Sequence, residues 1–326
     1  MKKIVYSPGE PSGIGPDLII QLCKTPFWKK INVPVICIAD PQLIKDRAKS
    51  LKKNIKIELI QDIKESHKNI AGTIQVMCIA KCSNTKFGKL YKSNAMYVLK
   101  NLDYGINEAL NKKNVALVTG PISKENVISV KKDFSGHTEH IQKLTKSNDV
   151  LMLLGSSLLK VAIATTHIPL KKVPKAITKK LIINKVTILN NELKSKFNIK
   201  TPRIKLLGLN PHAGEGGKIG TEEKDILIPA VKELKKKKIN VSMPLSADTA
   251  FSKKLLKETD AYLGMYHDQV LPVIKTLSFG SSINITLGVP IIRTSVDHGV
   301  ALDIAGSGKA DTSSLKEALS TAKKIL

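Results

Sequence analysis

Three apolar stretches of this chain each run into a histidine: Val161-Ala-Ile-Ala-Thr-Thr-His167, Ile204-Lys-Leu-Leu-Gly-Leu-Asn-Pro-His212 and Ala261-Tyr-Leu-Gly-Met-Tyr-His267. Each run has the length of a buried strand and is too short for a core helix. In an open α/β sheet, ligands sit just beyond the carboxyl ends of the strands. If the three strands are parallel neighbours, their imidazoles emerge at one edge, which makes a three-histidine metal site. For any one of them, a buried histidine bonded to backbone is the plain alternative. Three in the same position relative to a strand is the stronger pattern.

The rest of the chain supports that architecture. Residues 2–7 read as a strand, residues 8–16 as a Gly/Pro-rich turn, and residues 17–24 as an amphipathic helix start. Pro16 suits a first helical position, and the free amides there can hold an anion. Strand-like runs recur at 33–39, 73–80 and 115–121, with helical spacing at Met96, Leu99, Leu102, Ile106 and Leu110. Residues 152–154 and 160–165 read as a strand pair, residues 176–197 as one long helix, and 222–234 as another. Alternating strands and helices predict an α/β fold with a largely parallel sheet. At 326 residues, two domains around a cleft are expected. Neither GxGxxG nor GxxxxGK[ST] is present, so the usual dinucleotide fingerprint and P-loop are excluded.

Charge and cysteines narrow the function classes. The formal net charge is +26, which would suit a polyanion. Only Arg47, Arg203 and Arg293 are arginines, however, and no aromatics interleave the lysines. Readers of phosphate and bases favour the bidentate arginine fork, so a nucleic-acid partner is not expected. Cys78 and Cys82 have no second pair to complete a zinc site, and the four cysteines read as free thiols. No apolar run is long enough to span a bilayer. Residues 1–6 lack the apolar core of a secretory leader, so a cytoplasmic protein with no membrane partner is expected.

Several other residues are candidates for chemistry. His137 and His140 stand three apart, a rival metal pair on spacing alone, and Gly136 before them suits an anion at a helix start. His67 lies on a polar stretch and reads as a surface residue. Asp248 sits at a strand end. Arg293 lies in a strongly apolar segment, where it needs an anionic ligand or an internal carboxylate.

These residues belong to longer motifs. Val118-Thr-Gly-Pro-Ile-Ser-Lys124, Gly136-His-Thr138, Ala164-Thr-Thr-His-Ile-Pro-Leu170, Gly208-Leu-Asn-Pro-His-Ala-Gly-Glu-Gly-Gly217, Tyr266-His-Asp-Gln269, Asn284-Ile-Thr-Leu-Gly288 and Ile292-Arg-Thr-Ser-Val-Asp-His-Gly299 occur in this order. Together they resemble the 4-hydroxythreonine-4-phosphate dehydrogenase family of pyridoxal 5′-phosphate biosynthesis. The resemblance runs from Pro8 to about Asp311 and is weakest over 43–90. Residues 9–16 and 298–310 also resemble the first glycine turn and the NAD-contacting loop of the isocitrate/isopropylmalate dehydrogenase superfold. That resemblance implies two α/β/α domains, placed at 1–125 plus 245–326 and at 126–244.

The family resemblance implies oxidation of 4-phosphooxy-L-threonine at C3 by NAD or NADP, then decarboxylation to 3-amino-2-oxopropyl phosphate. It implies one divalent metal per active site (zinc, magnesium or cobalt) on His167, His212 and His267. It implies His137, Thr138, Lys275, Asn284 and Arg293 as contacts of the phosphorylated small-molecule substrate. The superfold adds His298, Gly299, Asp303 and Gly306 for the cofactor. Lys275, Asp248 and a metal-bound hydroxide stay open as the general base. A homodimer with the active site at its interface is implied as well. A sister enzyme acting on 4-phospho-threonate or erythronate is the alternative within the family, and a non-enzymatic nucleic-acid binder the alternative outside it.

Overall fold

The computed structural model describes residues 1–156, 158–278, 280 and 282–326. They form two compact units, Met1–Ser147 with Val289–Leu326 and Asn148–Gly288. Residues 126–147 thus belong to the first unit and 245–288 to the second, the reverse of their assignment from sequence. Strand pairing explains the difference, because residues 261–287 supply two strands to the second unit's sheet.

In chain order the strands are β1 Lys3–Ser7, β2 Val35–Ile38, β3 Lys56–Leu59, β4 Thr73–Met77 and β5 Val115–Thr119. The second unit adds β6 Leu151–Gly155, β7 Lys160–Thr165, β8 Ile204–Leu206, β9 Ala261–Tyr266 and β10 Ile283–Leu287, before β11 Ile292–Val296 returns to the first.

The first unit is wholly parallel, in the order β3-β4-β2-β1-β5-β11. β1, β2, β4 and β5 are buried at every position, as strands covered on both faces must be. Lys56 and Glu58 keep the edge strand β3 polar, which blunts it against further pairing. From β1 the chain goes to β2 on one side and later to β5 on the other. The turn after β1 therefore sits at the point where the winding reverses, where open sheets bind ligands. Leu99, Leu102 and Ile106 of the helix Ala95–Asn111 are buried as their spacing predicts, while Met96 and Leu110 at its ends are exposed. The helix Ser313–Ile325 buries Leu315, Leu319 and Ala322 and packs on β11 and β5.

The second unit is mixed, in the order β10-β6-β7-β9-β8. β6 runs antiparallel to both β7 and β10, whereas β7, β9 and β8 are parallel. Its core joins Leu154, Val161, Ile163, Tyr262, Val270 and Ile274. The helix expected over 176–197 covers only Lys179–Ser195. Ile177 is extended, and the Thr178 hydroxyl caps the helix by accepting from the Leu181 N–H.

No helix among the described residues is long and apolar enough to cross a membrane.

Candidate active site

The three histidine-bearing segments leave the carboxyl ends of β7, β9 and β8, which are parallel neighbours in the second unit. Register decides the first meeting. Thr165 pairs with Tyr266, and the Thr165 hydroxyl donates to the Met265 carbonyl at 2.7 Å. His167 and His267 therefore emerge together, with ring centroids 5.8 Å apart and planes 46° to one another. They line a cleft of about 280 Å³ with Thr166, Ile168, Leu170 and Tyr266 among its walls.

His267 opens the helix His267–Leu277, and its Nδ1 lies 2.6 Å from Asp268 Oδ1. A carboxylate on Nδ1 selects the tautomer that leaves Nε2 as the lone-pair donor, the usual support of a ligating imidazole. His212 stands apart on the loop after β8, with its side chain 63% exposed and Nδ1 3.6 Å from Glu215 Oε1. Among the described residues, no three His, Cys, Asp or Glu side chains form a group able to hold a metal ion. The donor chemistry fits a metal at the His167–His267 pair. His212 must come to that pair to complete three.

Asp248 follows β8's neighbouring stretch and accepts from the Ser246 hydroxyl at 2.5 Å. That bond, first among the causes, holds its carboxyl below the usual range. Lys275 lies exposed in the last turn of the helix that His267 begins. Asn284 faces Leu154 across the β10–β6 pair, and its Oδ1 is buried with no hydrogen-bond partner. A buried amide oxygen left unbonded is costly, so a donor from a ligand would be favoured there.

In the first unit, Arg293 on β11 is 2% exposed and donates from Nη2 to the Thr119 hydroxyl at 2.8 Å. Burial pushes its pKa down to about 10, opposed by the charge of Glu139. His137 begins the helix His137–Leu144, and burial first, then the Arg293 charge, hold its imidazole well below the usual histidine range. It is therefore neutral. Arg293, neutral His137 and the amides that a helix start leaves without intrahelical partners, with Thr138 in the first turn, form a setting for an anion. His140 does not share in it: buried, it lies 2.6 Å from Asp103 Oδ1 and against the Phe134 ring.

The 298–310 loop packs on the first glycine turn. Ile14 N–H donates to the Val300 carbonyl at 3.0 Å, and the Gly306 N–H to Asp17 at 2.7 Å. Gly306 has φ +72° and carries the Phe87 ring where a Cβ would stand. His298 Nε2 is buried with no partner, Gly299 has open space around it, and Asp303 is exposed.

One buried ion pair and one buried carboxylate had no part in the expectations from sequence. Asp17 and Arg47 form a fully buried ion pair, and Arg47 also donates to the carbonyls of Gly13 and Pro11, both at 2.7 Å. That pair clamps the glycine turn. A charged residue directly after Gly15-Pro16 in an apolar helix was its only signal. Glu223 is the other, taken up below. The remaining arginine, Arg203, is held by Asp260 through Nη2 at 3.0 Å and Nε at 3.1 Å.

The family model described as pyridoxal phosphate biosynthetic protein PdxA matches residues 30–322. The chain is 43% identical over 324 residues to the 4-hydroxythreonine-4-phosphate dehydrogenase of Serratia proteamaculans (strain 568), covering 99% of this chain and 97% of that protein. It is 44% identical to the enzyme of that name from Shewanella frigidimarina (strain NCIMB 400), covering 99% and 98%. The crystal structure of 4-hydroxythreonine-4-phosphate dehydrogenase from Klebsiella pneumoniae is similar with a TM-score of 0.90 at 31% identity, covering 100% of this chain and 99% of that one.

Proposed function

We propose that this chain, which belongs to the PdxA family of pyridoxal phosphate biosynthetic proteins, oxidises 4-phosphooxy-L-threonine at C3 with NAD and releases CO2 to leave 3-amino-2-oxopropyl phosphate. The observation that carries the proposal is the meeting of His167 and His267 at the carboxyl edge of β7 and β9, beside a cleft. His167 and His267, joined by His212, are the residues that would hold a divalent metal. A bound metal would supply Lewis acidity at the hydroxyl under oxidation, and a bound nicotinamide would supply the hydride acceptor.

The chain's own residues then bind and orient. Arg293 offers a buried, permanent positive charge to the phosphate or carboxylate, and neutral His137 donates without adding charge. Asn284 Oδ1 takes a donor from the substrate, which relieves its unmet bond. Lys275 adds a second cation. Asp248 is a weak acceptor for the hydroxyl proton, because the Ser246 hydroxyl already stabilises its ionised form. His298 Nε2 and the open space at Gly299 support a cofactor contact on the 298–310 loop, with Asp303 at its rim and Gly306 setting its turn.

A homodimer is part of the proposal. Leu170 lines the cleft yet is 68% exposed, the kind of apolar residue a second copy would cover. Sedimentation at micromolar concentration should give twice the chain mass.

The deciding experiment is NADH formation from 4-phosphooxy-L-threonine, with and without chelator, on wild type and His212→Ala. Both metal removal and the substitution should abolish turnover. Faster turnover of 4-phospho-threonate or 4-phospho-erythronate would reassign the substrate.

A further inference from the structure

The loop that carries His212 follows a path that few sequences accept. His212, Ala213, Gly214, Glu215 and Gly216 all lie in the left-handed region, with φ of 52°, 52°, 79°, 42° and 70°. Three of these are not glycine, and left-handed backbone is unfavourable for them. Something outside the loop must hold it.

Glu223 is placed to do so. It is 4% exposed and opens the π-helical turn Glu223–Leu227, which leads into the helix Ile228–Lys236. Such turns are rare and occur often at functional sites. Its Oε1 accepts the Leu209 N–H at 2.7 Å and the Asn210 N–H at 2.8 Å. Its Oε2 accepts from the Asn210 side-chain amide at 2.9 Å. A buried carboxylate is tolerated only when so satisfied. The loop is shaped to admit it: a Cβ on Gly208 would stand 3.0 Å from Oε1, and one on Gly214 2.6 Å from Oε2. The carboxylate thus bonds the near end of the loop and abuts its middle.

We propose that Glu223 is a positioning residue that anchors residues 208–214, the segment that leads into and begins the left-handed path carrying His212. Its consequence for metal binding rests on His212 being a ligand, as proposed above.

The test uses the full-length protein and the variants Glu223→Gln, Glu223→Ala and His212→Ala. In Glu223→Gln, either an NH2 faces the Asn210 amide or, if flipped, faces the two backbone N–H groups, so at least one bond is lost. Hydrogen exchange is measured without metal on peptides spanning 207–217 and 161–166, and zinc affinity by calorimetry. Exchange over 207–217 should rise at least about tenfold in Glu223→Gln with 161–166 unchanged, and zinc affinity should fall roughly 10–100-fold, the usual effect of losing support for a ligand. Unchanged exchange over 207–217 in both Glu223 variants would overturn the inference, as would an equal rise in both peptides, which marks general unfolding. If the loop loosens but His212→Ala binds zinc like wild type, the ligand role of His212 falls and the anchoring role of Glu223 stands.

Discussion

The side-chain amide of Gln269 donates to the carbonyl of Gly208 at 2.7 Å, while its Oε1 accepts the Met265 N–H at 2.7 Å. One side chain thereby ties the end of β9, where His267 begins its helix, to the loop that carries His212. Both partners are backbone groups, so their positions are set independently of any side-chain rotamer but that of Gln269. Replacing it by leucine leaves a backbone group of buried Met265 and one of buried Gly208 without this partner, at a cost of about 1–3 kcal/mol for a group left unbonded. Urea denaturation of Gln269→Leu should show a loss in that range. An unchanged midpoint would mean that water replaces both bonds.

Acid should destabilise the protein through His137. Its folded pKa is held well below the ordinary 6.5 by burial and by Arg293. The unfolded state therefore binds a proton that the native state refuses. Stability from this group is complete above about pH 6.5 and is lost as pH falls below it, by at most about 1.4 kcal/mol per pH unit for one proton. His137→Gln should flatten that part of the curve. A wild-type curve that is already flat between pH 6.5 and 5 would refute it.

Asp17→Asn leaves Arg47 buried without its counter-charge. Breaking one side of a buried pair costs roughly 3–5 kcal/mol. Because Arg47 also holds the carbonyls of Gly13 and Pro11, the Michaelis constant for NAD should rise together with the loss of thermal stability. A thermally weakened variant with unaltered NAD kinetics would separate the clamp from cofactor binding.

Arg293→Met removes the buried positive charge without changing the burial of β11. For a charge-assisted contact to substrate, kcat/KM should drop about 10–200-fold, equivalent to roughly 1.5–3 kcal/mol. Steady-state kinetics on 4-phosphooxy-L-threonine measures it. A drop confined to kcat at saturating substrate would place Arg293 in turnover and not in binding.

Asp268→Asn should lower metal affinity without unfolding the cleft. The carboxylate on His267 Nδ1 is lost, and loss of such an outer partner typically costs about 10–100-fold in affinity. Cobalt titration followed by its visible absorption reads this directly. Equal affinity would show that the backbone alone orients His267.

What the amino-acid sequence determined by itself was local and repetitive. Apolar runs such as 161–165 and 261–266 became β7 and β9 because a buried strand needs only a short stretch of apolar side chains. The helical spacing of Leu99, Leu102 and Ile106 likewise foretold a buried face. The histidines at the strand ends and the motifs around them were legible for the same reason, since each histidine lies within a few residues of its own apolar run and motif. Tertiary structure decided the rest. The register of Thr165 on Tyr266 brings His167 beside His267, and a slip of one residue would turn their strands' side chains to the opposite faces. The antiparallel course of β6 and the assignment of 245–288 to the second unit also follow from strand pairing, which leaves no periodic mark in sequence. Asp17 meets Arg47 across 30 positions, and Glu223 reaches Asn210 across 13. Such contacts form only after the chain has paid the entropy of closing the loop between them, so no window of neighbouring residues contains the information.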